Sequence, residues 1–342
     1  MNEKKRKLLM AVPVGLILLS LAGCAKKEPV AEAVDEPVVQ FEDEGPDASV
    51  EVNMHDNTEE ANTPDETEEA NMPDDTEEAN IPDDTDDQDD GSKVDAFADY
   101  EPDIEADVKA AINSASSLQD EIDKVQSVVA KYSLMASKGE TQAELNMLSG
   151  LPYMVWDKEL NSLWSRISDS ADEQTKERLL ADQRNWNSMK EEVKLESIGR
   201  PEDGGSMYPM NQNAFFEDIT FNRCCILANE LAKIKGDTYK MPPRSMYATY
   251  VDDQGTGSVY STLITRTGME LDNEAVISIF RLGETEGTFK DKGDGVFEYI
   301  SYSENVKGII KMNGWDGATF EVTECYDCPF NAGDKYEFDF AF

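Results

Sequence analysis

The spacing of apolar residues changes once along this chain, near the segment Met-Pro-Pro-Arg-Ser at 241–245. Before it, apolar residues recur in steps of three and four, which is the pattern of amphipathic helices. After it, they alternate with polar residues in short runs separated by Gly, Asp and Asn, which is typical of half-buried antiparallel strands. The sequence therefore predicts an α+β protein of several domains, with a helical bundle followed by a small antiparallel β-barrel or sandwich.

The helical part is predicted to contain four helices and one irregular loop. In chain order the helices are expected over about 103–138, 141–168, 171–196 and 213–235, with the loop at 198–213. Gly150 and Pro152 should break or kink the second helix, because proline lacks a backbone donor and clashes one turn back. The inner stripe of the fourth helix is expected to contain Phe215, Ile219, Ile226 and Ile234.

Six short runs with period-two alternation predict the strands of the β-domain. They begin near residues 259, 275, 296, 305, 317 and 335. In the last run we expect Tyr336, Phe338, Phe340 and Phe342 on one face and Glu337 and Asp339 on the other. An aromatic stripe of this kind is more typical of a core than of a ligand platform.

The first residues have the features of an export signal. A basic cluster at 4–7 and an apolar run precede Leu-Ala-Gly-Cys at 21–24. This ending resembles the bacterial lipobox, so we expect a lipoprotein signal peptide at 1–23. Cys24 would then carry acyl chains such as palmitate and hold the chain at the extracytoplasmic face of the cell membrane. Several acyl chains on one residue make a stable membrane anchor, whereas one chain does not.

Residues 24–96 are predicted to be an anchor followed by a disordered acidic tether. Three tandem nonapeptides begin at Thr58, Thr67 and Thr76, and each carries at most one Met or Ile. Repeats that stack into solenoids need apolar residues to bury, and these lack them. High charge with low hydrophobicity favours an extended, disordered segment.

The charge of the chain favours a basic partner. The formal net charge is −41, from 72 acidic and 31 basic residues. About 26 of the acids lie in residues 31–96, so the folded part is less acidic than the total suggests. Phosphate binding requires basic patches, which the chain lacks, and nucleic acid is not expected as a partner. A basic protein is the better electrostatic match.

The residue types present disfavour an enzyme. The one histidine, His55, lies in the acidic tether, which removes Ser-His-Asp and Cys-His catalysis and the usual histidine-containing zinc sites. Gly204-Gly205 follows no strand and lacks the lysine of a phosphate loop. We therefore expect no cofactor, no metal and no catalytic activity; a hydrolase based on paired carboxylates is a third hypothesis.

The five cysteines include a pair with redox-motif spacing, Cys325 and Cys328. This pair is not at a helix N-terminus of a βαβ unit, where a thiolate would be stabilised. A local disulfide or two free thiols in a turn is therefore the preferred interpretation. A zinc site would need Cys224 and Cys225 as a second pair, which requires the two domains to meet.

Five motifs in order resemble the N-terminal domain of the LprI-type lysozyme inhibitor family. They are Thr-Gln-Ala-Glu-Leu-Asn at 141–146, Asp157 with Leu160-Asn161, Leu-Leu-Ala-Asp-Gln-Arg-Asn-Trp at 179–186, Gly-Gly-Ser-Met-Tyr-Pro-Met at 204–210, and Asp218, Thr220 and Arg223. The resemblance covers about 141–234. Leu148, Lys194 and Phe215 stand where the family typically has cysteines, so the disulfides of the family cannot form here.

The resemblance implies that the helical domain, expected at 97–237, binds and inhibits a cationic cell-wall lytic enzyme such as lysozyme. The period-two runs predict a separate β-domain at 238–342. The candidate partner-binding residues are Arg184, Trp186, Gly204, Gly205, Tyr208, Arg223 and Trp315. Trp186 is best interpreted as a packing residue. Trp315, in a turn between two glycines, either contacts a partner or covers one end of a barrel. The alternative function is a non-inhibitory binding module for cell-wall glycan or an envelope protein.

Overall fold

The structure is a computed structural model that describes residues 94–268 and 272–342. The expected signal peptide, Cys24, His55 and nearly all of the acidic tether lie outside these residues. Within them, no helix combines the length and the apolar character needed to cross a membrane. The described residues all belong to one compact unit of the chain.

The helical part consists of seven α-helices and one 3-10 turn. The helices are α1 (Glu101–Ser114), α2 (Leu118–Ala136), α3 (Gln142–Leu148), α4 (Leu151–Ser170), α5 (Glu173–Ile198), α6 (Pro201–Gly204) and α7 (Tyr208–Lys235), with the 3-10 turn at Gly205–Met207 between α6 and α7. A helical bundle is therefore confirmed, with more helices than the sequence predicts.

The prediction of one helix over 103–138 is wrong, because α1 and α2 form an antiparallel hairpin. The chain is extended at Ala115, and the side chain of Ser117 accepts a hydrogen bond from the Asp120 N–H at the start of α2. The Tyr132 hydroxyl of α2 donates to Asp107 of α1 over 2.9 Å. Serine favours such caps over helix interiors. The apolar spacing continues across the turn and so conceals it.

The predicted break near Gly150 is confirmed. Helix α3 ends at Leu148, and α4 begins at Leu151 with Pro152 in its first turn. Proline is tolerated there because the first N–H groups of a helix have no intrahelical acceptor. Helix α5 begins after Asp172, whose side chain accepts from the Thr175 N–H.

The inner stripe predicted for the last helix is wrong, and α7 also begins five residues earlier than expected. Phe215, Ile226 and Ile234 are only half-buried, and of the predicted four only Ile219 is buried. The buried face instead contains Phe216, Ile219, Thr220, Arg223, Cys224, Cys225, Leu227, Ala228, Leu231 and Ala232. Because α7 packs against both α4 and α5, it is apolar over much of its circumference, and periodicity does not single out one face.

The β part is a nearly closed antiparallel barrel of nine strands. The strands are β1 (Thr249–Asp252), β2 (Ser261–Thr267), β3 (Asn273–Ile279), β4 (Gly283–Asp291), β5 (Val296–Ser301), β6 (Val306–Met312), β7 (Ala318–Cys325), β8 (Lys335–Phe338) and β9 (Phe340–Ala341). Their order is β8-β7-β6-β5-β4-β3-β2-β1-β9. Since only Asp339 separates β8 from β9, the two edges of the sheet meet. Of the two predicted β folds, the barrel is the one formed.

Strands β1 and β4 are not predicted by the sequence. Strand β4, Gly-Glu-Thr-Glu-Gly-Thr-Phe-Lys-Asp, carries one large apolar side chain, Phe289, and two glycines. Gly287 lies close to the neighbouring strand, since a Cβ there would be 2.1 Å from the carbonyl oxygen of Ile300. Where two strands approach this closely only glycine fits, so β4 lacks the alternating apolar residues by which a strand is predicted.

The prediction that four aromatic residues of the last run share one face is wrong. Phe338 lies in the barrel core, but the break at Asp339 shifts the alternation, so that Ala341 is the next residue of that core. Phe340 and Phe342 face outward, with their ring centroids 5.3 Å apart. The ring of Phe342 stacks on that of Trp186 in α5 and is buried.

Side chains of α5 and α7 bind the barrel directly. Ser188 donates to the carbonyl oxygen of Gly257 over 2.6 Å, and Asn185 donates to Asp253 over 3.1 Å. From α7, Asn222 donates to the main-chain oxygen of Phe342 over 3.3 Å. The helices and the barrel therefore share an interface that is polar at its rim and aromatic at Trp186.

Candidate functional site

Two motifs that are sixty residues apart in sequence lie against each other at one end of the helical part. The Asn146 side chain donates to the carbonyl oxygen of Ser206 over 3.0 Å. The Gln142 amide donates to the sulfur of Met210 over 3.3 Å. We call the surface formed by residues 140–149 and 200–210 the apical surface.

The first motif, at 141–146, encodes the start of α3. The Thr141 hydroxyl accepts from the Glu144 N–H over 3.2 Å, and the Glu144 carboxylate accepts from the Thr141 N–H over 3.0 Å. This capping box fixes the first turn. Gln142 and Asn146 are then one turn apart on the same face, with the Gln142 amide donating to Asn146 over 2.8 Å, and both face the second motif.

The second motif, at 204–210, depends on its glycines. The backbone of Gly205 has φ +57° and ψ −148°, a conformation that residues other than glycine rarely adopt. A Cβ at Gly204 would lie 2.7 Å from Cδ2 of Tyr208. Tyr208 is buried beneath the turn, and its hydroxyl donates to the carbonyl oxygen of Gly199 over 3.5 Å. These candidate residues shape the apical surface from within.

Three residues of the other motifs form a buried connection between α5 and α7. The Nε of Arg223 donates to Gln183 over 2.6 Å, and its Nη2 lies 2.7 Å from the Asp182 carboxylate. Burial lowers the pKa of Arg223, against the attraction of Asp182. Trp186, one turn from Asp182, is 1% exposed. Arg223 and Trp186 therefore hold the helices together and present no surface to a partner in this structure.

The remaining two candidates lie elsewhere. Arg184 is exposed on α5 and makes no hydrogen bond or ion pair with any other part of the chain that the structure describes. Trp315 is half-buried in the turn after β6, where its indole N–H donates to the carbonyl oxygen of Pro242 over 2.9 Å. The guanidinium of Arg244 lies 4.7 Å from the centre of that ring. Trp315 thus covers one end of the barrel where the connecting segment passes.

The four cysteines in the part of the chain that the structure describes do not converge on one site. Cys325 and Cys328 form a disulfide at the end of β7, while Cys224 and Cys225 are buried free thiols in α7. Burial raises the pKa of Cys225 to about 11, so this thiol is a weak nucleophile. Over residues 94–268 and 272–342, no group of three or more His, Cys, Asp or Glu side chains is placed to hold a metal ion.

The outer face of the apical surface carries two methionines that sequence reasoning missed. Met147 is 51% exposed and Met207 is 53% exposed, next to the two residues joined by the Asn146–Ser206 hydrogen bond. Glu202 and Asp203 are exposed in the preceding helical turn. Methionine in a helical pattern is usually a core residue, so the pattern does not indicate that these two are exposed. Exposed apolar side chains together with exposed acids on one surface are typical of an interaction site.

Comparison with known families places the motifs in context. Residues 135–227 match the family model described as "Lysozyme inhibitor LprI", which confirms the resemblance drawn from the motifs. The match runs from the end of α2 to Leu227 in α7 and includes the whole apical surface, whereas the barrel lies outside it. Searches of curated proteins and of solved structures find no significant match to this chain.

Proposed function

We propose that this protein binds, and inhibits, a cationic cell-wall lytic enzyme such as lysozyme, and that the apical surface is its binding face. One observation carries the proposal: two motifs of the matched segment, at 141–146 and 204–210, meet at this surface through the Asn146–Ser206 hydrogen bond. Several side chains of these two motifs, among them Gln142, Asn146 and Tyr208, are used to build the surface. The side chains left for a partner are therefore those that the fold displays, Met147, Met207, Glu202 and Asp203.

The charge of the chain supports a cationic partner. Residues 94–342 alone contain 45 acidic and 24 basic residues, a net charge of −21. Such a field accelerates encounter with a basic protein and is screened by salt. Flexible methionine side chains can adapt to an uneven partner surface. Binding should consequently be fastest at low ionic strength.

We further propose that Cys24 is lipidated and that the acidic segment holds the domains away from the membrane. This arrangement would place the apical surface where lytic enzymes reach the envelope. Cells expressing the chain should incorporate a labelled fatty acid into it, and a Cys24→Ala variant should not. Labelling that persists in the variant, or a product that remains in the cytosol, would reject the anchor.

Binding and inhibition are tested with the purified full chain and hen-type lysozyme in a bacterial-wall lysis assay. A Glu202→Lys/Asp203→Lys variant reverses the acidic rim of the apical surface. The matched control, Asp169→Lys/Glu177→Lys, makes the same change in charge outside the apical surface. Asp169 is exposed at the end of α4, and Glu177 is exposed near the start of α5.

We expect the full chain and the control to protect the wall and the apical variant to protect it much less. Equal loss in both variants would show that only net charge matters and would reject the apical surface. Complex formation without protection would favour a non-inhibitory binding module. No complex with lysozyme at low salt would reject the proposal.

A further inference from the structure

A cleft of about 340 Å³ lies where α5 and α7 meet the barrel. One wall is a single face of α7, which contributes Asn211, Phe215 and Asp218. The opposite wall comes from Tyr247 and from strands β1 and β2, and Phe342 also lines the cleft. Because the barrel wall lies outside residues 135–227, this cleft is not a feature of the matched segment. Its volume is in the lower range for small-ligand sites.

The carboxylate of Asp218 lines this cleft without a partner. It accepts no hydrogen bond and forms no ion pair with the residues that the structure describes. Burial raises its pKa, and burial together with Asp218 raises the pKa of the neighbouring Glu217. A cation bound in the cleft would give the Asp218 carboxylate an ion-pair partner.

Neither Arg266 nor Arg244 forms an ion pair with Asp218. Arg266 lines the cleft, but its guanidinium donates to Glu274 over 2.5 Å and to the carbonyl oxygen of Ser197 over 3.2 Å, and it also pairs with Glu286. Arg244 attracts Asp218 from beyond ion-pair distance. Its Nη2 donates to the main-chain oxygen of Phe342, and its guanidinium lies against the Tyr250 and Trp315 rings.

Three aromatic residues, Phe215, Tyr247 and Phe342, line the same cleft. The Tyr247 hydroxyl donates to Asn273 over 2.8 Å, which fixes that side chain at the rim. A planar guanidinium can stack on an aromatic face and at the same time donate two hydrogen bonds to a carboxylate, whereas an ammonium is a compact and more strongly hydrated charge. We propose that this cleft binds a guanidinium group on a short apolar stem, as in an arginine side chain.

The probe is n-butylguanidinium, and its neutral isostere n-butylurea is the matched control ligand. Ile198, Ile219 and Ile264 all line the cleft, so δ1-methyl labelling of isoleucine in the full chain reports directly on occupancy. Ile310, in the barrel core, serves as the internal reference. We expect saturable shifts of the three cleft methyl signals with butylguanidinium, little change with butylurea, and no shift of Ile310.

Asp218→Asn keeps the shape of the side chain and removes its charge. Since Asp218 is exposed and forms no hydrogen bond or ion pair with the residues that the structure describes, the variant should fold. Its affinity for butylguanidinium should be about tenfold lower, because a charge-assisted hydrogen bond is lost. Asp169→Asn, exposed and far from the cleft, should bind as the parent does. No shift, equal shifts with butylurea, or undiminished binding by Asp218→Asn would each overturn the proposal.

The peptide Gly-Arg-Gly separates two sources of the guanidinium. Binding as tight as that of butylguanidinium would indicate the arginine of a protein partner. Binding of butylguanidinium alone would indicate a free small molecule. Either result supports a guanidinium site. The assay contains no lytic enzyme, so its outcome is independent of the function proposed for the apical surface.

Discussion

The indole of Trp186 stacks on the ring of Phe342, with 6.4 Å between their centroids and 21° between their planes. Trp186 belongs to the matched helical segment and Phe342 to the barrel, so this contact joins the two parts of the structure. Lys190 lies over the Trp186 ring, with its Nζ 5.0 Å from the ring centre. The tryptophan is thus a packing residue.

Trp186→Ala should lower the free energy of unfolding by about 3–5 kcal/mol, through lost burial and the cavity left behind. Urea unfolding followed by circular dichroism measures the change. Trp315→Ala, at a half-buried position, should cost less. Because Trp186 and Phe342 touch, Trp186→Ala and Phe342→Ala should be non-additive in a double-mutant cycle. Additive losses would show that the stacking contact contributes nothing.

Arg223→Ala should destabilise the protein by about 1–3 kcal/mol, since it leaves the buried Gln183 side chain without its donor. The ion pair with Asp182 adds less, because that carboxylate is partly exposed to solvent. The matched control is Arg184→Ala on the neighbouring helix, which should change stability by less than about 0.5 kcal/mol because Arg184 is exposed. A stability loss in Arg184→Ala equal to that in Arg223→Ala would contradict these roles.

Gly205→Ala should cost about 1–3 kcal/mol, because alanine is strained at this positive φ. The variant should also weaken lysozyme binding, as the turn carries Met207. Gly150→Ala is the control, since that glycine is in the right-handed region and a Cβ would meet its nearest atom at 3.5 Å. Thermal unfolding and a binding titration report the two effects separately. Unchanged binding by a folded Gly205→Ala protein would count against the apical surface.

Glu159 predicts a pH dependence of stability. It is fully buried in α4, where burial and then the neighbouring Glu121 raise its pKa well above the ordinary 4.5, against the attraction of Arg166. The folded protein therefore holds this proton more tightly than the unfolded chain does. The resulting stability is present below pH 4.5 and is lost as the pH rises toward the folded-state pKa.

Glu159→Gln should accordingly gain stability relative to the parent as the pH rises from 4 to 8. Urea unfolding midpoints at several pH values measure the difference. Glu177→Gln, at an exposed position of α5, should track the parent throughout. If the parent and Glu159→Gln changed in parallel, the carboxyl of Glu159 would be ionised in the folded state.

The spacing of apolar residues changes at 241–245, and the sequence therefore predicts helices before this segment and strands after it. The structure has this order. The sequence misses the α1–α2 turn, where Ser117 begins a new helix without disturbing the spacing of three and four. It misses β4, whose glycines replace apolar side chains where strands approach closely. The outward turn of Phe342 depends on the helical surface it meets, which no local pattern contains.

For the candidate site, the motifs lie in the segment that contains the apical surface, but they do not show which of its residues are exposed. Arg223 and Trp186 are buried, while Met147 and Met207 are exposed. The difference arises because the Asn146–Ser206 contact brings together segments that are distant in sequence. The cleft beside Asp218 is similarly invisible in the sequence, since half of it comes from the barrel.

The single residue between β8 and β9 makes the barrel vulnerable at one seam. These strands have four and two residues, and they are what covers the free edges of β7 and β1. Loosening the chain around Asp339 would expose both edges at once, and unpaired edges invite pairing with another chain. Strand exchange between copies, and aggregation that follows from it, should therefore begin at this seam.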